Sequence, residues 1–178
     1  MSLPLRSLAN GLTIARAVAG LPLILALQAD AAALAWWLLL MAGLSDAADG
    51  WLARRAGGGS SWGARLDPLT DKVLIAAPLL WLAAAGTLPL WAVWLLLARA
   101  LLISGWRSQA GDGGPASLAG KAKTVLRFLA LLLMLWPPSW SGHQQLAVAG
   151  WWLFWPSLLL AVSSAVAYIR PRSGLHQR

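Results

Sequence analysis

Long apolar runs, each close to the length of a bilayer-spanning helix and broken only by short polar connectors, limit what this chain can become. A transmembrane helix needs roughly 20 mostly apolar residues. Six runs meet that requirement, at about 8–28, 33–54, 67–86, 88–107, 119–138 and 146–169. In lipid the backbone must satisfy its own hydrogen bonds, so such runs are helical. The expected fold is an all-α integral membrane protein with six transmembrane helices and a short N-terminal interfacial segment over the first seven residues. Hydrophobic residues make up 59% of the chain and charged residues 11%, far from the balance of a soluble domain. The 178 residues suit one domain, 1–178.

Charge orders these helices. The connectors near 29–32, 86–88 and 139–145 carry no Lys or Arg. The other side holds Arg6, Arg54, Arg55, Arg65, Arg107, Lys121, Lys123, Arg170, Arg172 and Arg178. The positive-inside rule then places both termini in the cytoplasm, which an even helix count allows. A bacterial inner (plasma) membrane is the expected home. The net charge of +8 reads as contact with anionic headgroups, with no soluble basic domain to bind nucleic acid. Thirteen Trp, among them Trp36, Trp37, Trp81, Trp91, Trp94, Trp136, Trp140, Trp151, Trp152 and Trp155, read as an aromatic belt toward the opposite interface. The first run resembles a secretory signal, with Ala26-Leu27-Gln28-Ala29 as a cleavage site. The interruptions at Asn10, Thr13 and Arg16 favour a retained helix.

Against this apolar background the acidic residues stand out. Four of the six in the chain, Asp46, Asp49, Asp67 and Asp71, fall in one short window, and there is no Glu and no Cys. Asp46 and Asp49 are three apart and Asp67 and Asp71 four apart, so each pair shares a helical face. Gly57-Gly58-Gly59-Ser60-Ser61 joins the two helices as a flexible hinge. Four converging carboxylates would repel or take up protons unless a cation neutralised them. All-oxygen ligation selects Mg²⁺, Mn²⁺ or Ca²⁺ over zinc or copper. The competing reading is helix capping, with Asp67 as N-cap and Pro68 at the first helical position. It leaves Asp46 and Asp49 unexplained at a helix end where the dipole disfavours anions. Small residues at Gly50 and Ala53 admit a bulky ligand or a neighbouring helix. Arg54 suits a phosphate or a headgroup.

The motif Asp46-x2-Asp49-Gly50-x2-Ala53-Arg54-x8-Gly63-x3-Asp67-x3-Asp71 resembles the signature of the CDP-alcohol phosphatidyltransferases at every fixed position. The resemblance implies six transmembrane helices around a polar cavity open to the cytoplasm. It also implies transfer of a phosphatidyl group from a CDP-linked lipid to an alcohol, with release of CMP. Asp46, Asp49, Asp67 and Asp71 would then hold Mg²⁺ or Mn²⁺, two ions by the family's pattern, with Asp71 also the general base. Gly50, Ala53, Arg54 and Gly63 would line the CDP-lipid site. Asn10-Gly11-Leu12-Thr13-Ile14-Ala15-Arg16 resembles the opening of the phosphatidylglycerophosphate synthase branch, which adds Asn10, Thr13 and Arg16 to the CDP-lipid site.

Two further segments, Ala98-Arg99 through Arg107 and Gly120-Lys121-Ala122-Lys123-Thr124, are similar to the same branch. They offer Arg99, Arg107, Lys121, Lys123 and Thr124 for the acceptor. Departures from the branch pattern include Ala100 and Ser108 in place of Glu, Thr70 in place of Ala, and Val125-Leu126-Arg127 where a Gln is usual. The implied partners are CDP-diacylglycerol, glycerol 3-phosphate and membrane lipids, and homodimers are common in the family. Phosphatidylglycerol as acceptor, making a cardiolipin synthase, is the alternative, as is another alcohol. A cation channel is a third reading; carboxylates confined to one side of the membrane oppose it.

Overall fold

A computed structural model describes residues 18–55, 63–110 and 118–169, and their side chains over 18–45, 72–103 and 123–165 together with Thr70. Among the described residues there are six helices and no strand: α1 (described over Val18–Gln28), α2 (Ala32–Arg55), α3 (Gly63–Ala84), α4 (Leu90–Ala110), α5 (Leu118–Met134) and α6 (His143–Ile169). Asn10, Thr13, Arg16, the first-seven-residue interfacial segment and the Gly57–Ser61 hinge lie outside the described residues.

Helix ends follow local chemistry. α1 closes with Asp30 in the left-handed region at φ 55°, and Ala31 N–H reaches back to the Ala26 carbonyl at 2.8 Å. This is a Schellman closure, and Asp is among the few non-glycine residues that accept that conformation. α3 ends in the same way, with Gly86 at φ 70° and Thr87 N–H on the Leu82 carbonyl at 2.9 Å. α5 stops at Met134, short of the expected 138. Pro137 lacks an N–H and Pro138 disfavours helical geometry at the residue before it, so the helix cannot run on. α6 begins at His143, ahead of the expected 146, after Gly142 at φ 77°. Gly142 lends its carbonyl to Leu146 N–H at 2.9 Å.

The start of α3 changes one reading. α3 begins at Gly63, so Asp67 is not an N-cap and Pro68 is not its first residue. Ala64, Arg65 and Leu66 are strong helix formers and carry the helix ahead of the proline. At the other end of the same connector α2 runs on to Arg55. Asp46 and Asp49 are therefore more than a turn from its C-terminus, where the dipole penalty has largely faded.

The helices pack around α5, which contacts α2, α3 and α6, while α4 contacts α3 and α6. Among the described residues the α5–α6 seam is the most extensive. A Cβ placed on Gly150 would lie 2.7 Å from the Ala130 carbonyl oxygen and 2.8 Å from Leu133 Cβ. Gly43 of α2 lies directly under the Phe128 ring of α5. Gly20 brings α1 against α3, with its absent Cβ 3.3 Å from Ala77 Cβ. Between them Leu23, Leu39, Leu79, Leu96, Leu131 and Phe154 are buried core.

Trp36 departs from the aromatic-belt reading. It is buried, and its Nε1–H donates to the Leu132 carbonyl at 2.9 Å. It joins α2 to α5 and meets Trp37, Trp136 and Trp140 edge-on at centroid distances of 5.1, 5.4 and 5.2 Å. A buried indole N–H needs an acceptor, and a helix-terminal carbonyl supplies one. Trp91, Trp94 and Trp152 remain exposed.

By length and composition, one helix among the described residues, His143–Ala165, is able to cross a membrane, and only 28% of its apolar window is buried. Shorter apolar stretches cover Val18–Gln28, Ala32–Ser45, Lys72–Ala84 and Leu90–Ile103.

The α5–α6 seam yields a direct expectation. Gly150→Ala should lower the melting temperature in detergent, at a cost of about 1–3 kcal/mol, because the nearest obstacle is backbone and cannot swing away. Leu159→Ala, at an exposed position, should leave it nearly unchanged. Fluorescence-detected thermal unfolding reads both, and an unshifted Gly150→Ala would contradict the packing.

Candidate active site

The acidic pairs lie at similar distances along the chain from the connector between two consecutive helices. With a rise of about 1.5 Å per residue, Asp49 and Asp46 lie about 9 and 14 Å back from the end of α2, and Asp67 and Asp71 about 6 and 12 Å into α3. They are thus inside the helices, one to three turns from the 56–62 connector, and not at helix tips. Gly50, Ala53 and Arg54 continue along α2, and Gly63 opens α3. The side chains of Asp46, Asp49, Asp67 and Asp71, and those of Ala53 and Arg54, lie outside the described residues. As a donor set, four carboxylates with no sulfur or imidazole suit a hard divalent cation.

A second group is described in atomic detail. Arg99 of α4 donates through Nε to the Ala161 carbonyl at 3.0 Å and through a terminal nitrogen to Ser164 Oγ at 2.8 Å. Lys123 of α5 donates to the same Ser164 Oγ at 2.9 Å. Ser164 donates its own proton to the Ala161 carbonyl at 2.8 Å. One hydroxyl therefore accepts from two cations and links three helices. All of these contacts are part-buried, where charge-assisted hydrogen bonds are stronger than in water.

The sequence explains why this knot forms. Arg99 interrupts an apolar helix, and a guanidinium at that depth must be hydrogen-bonded. α4, α5 and α6 contain no Asp or Glu, so none of the three offers a carboxylate. A serine back-bonded to its own helix becomes the acceptor, a role hydroxyls fill readily in apolar helices.

Of the residues expected to meet the acceptor, the structure brings Arg99 and Lys123 together. Thr124 follows on α5 and is exposed. Arg107 and Lys121 lie on α4 and α5, with side chains outside the described residues. Ser164 and Arg127 are the residues that sequence reasoning missed. Arg127 stands four residues after Lys123, hence on the same face of α5, and that spacing was the available signal. Ser164 had none, because its role comes wholly from packing.

Residues 6–163 match the sequence model of the family described as CDP-alcohol phosphatidyltransferase. The chain belongs to that family. It is an enzyme of the CDP-alcohol phosphatidyltransferase type. Among its curated relatives, a Mycobacterium tuberculosis (strain ATCC 25618 / H37Rv) protein named "Probable phosphatidylglycerophosphate synthase" is 35% identical over 171 residues, covering 92% of this chain and 80% of the relative. A Rickettsia felis protein named CDP-diacylglycerol–glycerol-3-phosphate 3-phosphatidyltransferase is 30% identical over 171 residues, 93% of this chain and 94% of the relative. A Sodalis glossinidius protein of the same name is 34% identical over 131 residues, 66% of this chain and 71% of the relative.

In this phosphatidyltransferase the Ser164 hydroxyl orients two cations. With Arg99 and Lys123 at the acceptor, as the sequence leads one to expect, Ser164→Ala should raise the acceptor KM about three- to tenfold, the worth of one or two such bonds. Ser164→Thr, which keeps the hydroxyl, should restore it. Steady-state kinetics with both variants checks this, and an unchanged KM in the alanine variant would show that the hydroxyl orients nothing.

Proposed function

We propose that this protein transfers the phosphatidyl group of CDP-diacylglycerol to glycerol 3-phosphate, giving phosphatidylglycerophosphate and CMP. The observation that carries the reading is the agreement of relatives, matched over most of their length, whose printed names specify that reaction. The cluster of Arg99 and Lys123 supports a phosphorylated acceptor over a neutral one. Six helices, many large hydrophobics at exposed positions and the mostly unburied α6 support a multi-span membrane protein. Its active site and termini face the cytoplasm, where CDP-lipid and glycerol 3-phosphate meet.

The reaction is a displacement at phosphorus. An acceptor hydroxyl attacks the β-phosphorus that bears the lipid, a new P–O bond forms, the pyrophosphate bond breaks, and CMP leaves with the electron pair. Asp46, Asp49, Asp67 and Asp71 would hold Mg²⁺ or Mn²⁺, which when bound neutralises the pyrophosphate and stabilises the leaving phosphate. Asp71 accepts the hydroxyl proton. Gly50 and Ala53 leave room for the CDP moiety beside α2, and Arg54 contacts its phosphates, with Asn10, Thr13, Arg16 and Gly63 completing that site. Arg99, Arg107, Lys121, Lys123 and Thr124 bind the acceptor. Much of the acceleration comes from holding the two substrates in line.

The deciding experiment offers purified protein, Mg²⁺ or Mn²⁺ and CDP-diacylglycerol a panel of acceptors, with CMP release as the readout. CMP should appear with glycerol 3-phosphate and disappear when EDTA removes the metal. Release only with phosphatidylglycerol would replace this reading with a cardiolipin synthase. Asp71→Asn should abolish turnover, a loss of at least about a hundredfold, while CDP-diacylglycerol still binds. Full activity in that variant would remove Asp71 as the base.

A further inference from the structure

Arg127 stands beside the knot around Ser164 with its Nε buried and without an acceptor among the described residues. It lies one helical turn beyond Lys123 on α5, on the face that carries Lys123 to Ser164. Arg99 stands close enough for the two guanidinium groups to repel. Arg127 Nε is buried and has no hydrogen-bond partner among the described residues. A buried guanidinium donor without an acceptor is costly, and a neighbouring like charge adds to the cost. The three helices that build the cluster carry no carboxylate to offset it. A polyanionic ligand would supply the missing acceptors.

A phosphate monoester suits these donors. It carries close to two negative charges and three terminal oxygens, enough to accept from more than one guanidinium together with an ammonium. A neutral polyol offers neither the charge nor the oxygens. A phosphodiester headgroup offers two terminal oxygens and one charge, a poorer match to three cations.

We propose that Arg127 is a specificity-determining residue of the acceptor site, a third cation beside Arg99 and Lys123 that binds the terminal phosphate of the acceptor and selects a phosphate monoester. This rests on the phosphorylated-acceptor reading above and adds a residue to it. Ser164 is the positioning residue of the same pocket. It holds Arg99 and Lys123 in place while Arg127 keeps its donor for the ligand.

The test uses the full chain in detergent as wild type, Arg127→Gln, Arg127→Met and Arg127→Lys. Thermal unfolding is followed without CDP-lipid against inorganic phosphate, glycerol 3-phosphate, glycerol and phosphatidylglycerol micelles. Phosphate and glycerol 3-phosphate should stabilise the wild type, and glycerol should not. Arg127→Gln and Arg127→Met should need about ten- to a hundredfold more phosphate for the same shift. Arg127→Lys should recover part of the loss. Without ligand the neutral variants should melt at or above the wild-type temperature, because the repulsion from Arg99 is gone.

In turnover, the KM for glycerol 3-phosphate should rise by the same factor, with kcat and the CDP-diacylglycerol KM within about threefold of wild type. An unchanged phosphate response in well-folded Arg127→Gln and Arg127→Met overturns the proposal. So does a fall in unliganded melting temperature with no change in phosphate response, which would assign Arg127 a structural role. Stabilisation by phosphatidylglycerol alone also overturns it and makes the pocket a lipid-headgroup site. An Arg127-dependent phosphate response in a protein that does not use glycerol 3-phosphate keeps the monoester pocket and rejects only the proposed reaction.

Discussion

Polar groups placed inside an apolar helical bundle must find partners within the protein, and that constraint organises this molecule. Arg99 cannot reach a carboxylate on its own helix or on either partner helix of the knot, so it takes a serine hydroxyl and a backbone carbonyl of α6. Lys123 takes the same hydroxyl. The indole of Trp36 takes the Leu132 carbonyl near the end of α5. Each contact joins different helices, so satisfying the polar groups also fixes how the helices sit. Dispersion packing supplies the rest, through Gly43 under Phe128, Gly20 beside Ala77 and Gly150 against Ala130.

The two candidate regions pose opposite electrostatic problems. α2 and α3 carry the four clustered carboxylates, which in the proposed reaction a divalent cation neutralises. α4 and α5 concentrate positive charge against α6, which in the same reaction a phosphate neutralises. Phosphatidyl transfer to an anionic acceptor needs both, because a pyrophosphate must be gripped while a second anion approaches it. The enzyme's fold thereby suits two negatively charged substrates that would otherwise repel.

Much of this architecture was legible in the residues alone. The helix count followed from run length, and the α1–α2, α3–α4 and α5–α6 turns fell in the connectors without Lys or Arg. The helix ends were legible less well. Pro137 and Pro138 ended α5 early, and Ala64-Arg65-Leu66 began α3 ahead of Asp67, so the aspartates lie within helices and not at their tips. Trp36 was read as interfacial from its type and position, whereas packing buried it and gave its N–H a partner. Arg99 was marked by its depth, but nothing local pointed to Ser164, which stands 65 residues away.

The sequence by itself determined the chemistry: carboxylates on α2 and α3, cations on α4 and α5, and a signature specific enough to place the chain in its family. These properties depend on residue type and on spacing along one helix, where 3.6 residues per turn makes faces predictable. Tertiary structure alone decided which cation meets which hydroxyl and which one keeps a buried nitrogen without an acceptor. Such pairings depend on the register between helices, and register is set by close-packed contacts among small residues that no single helix encodes.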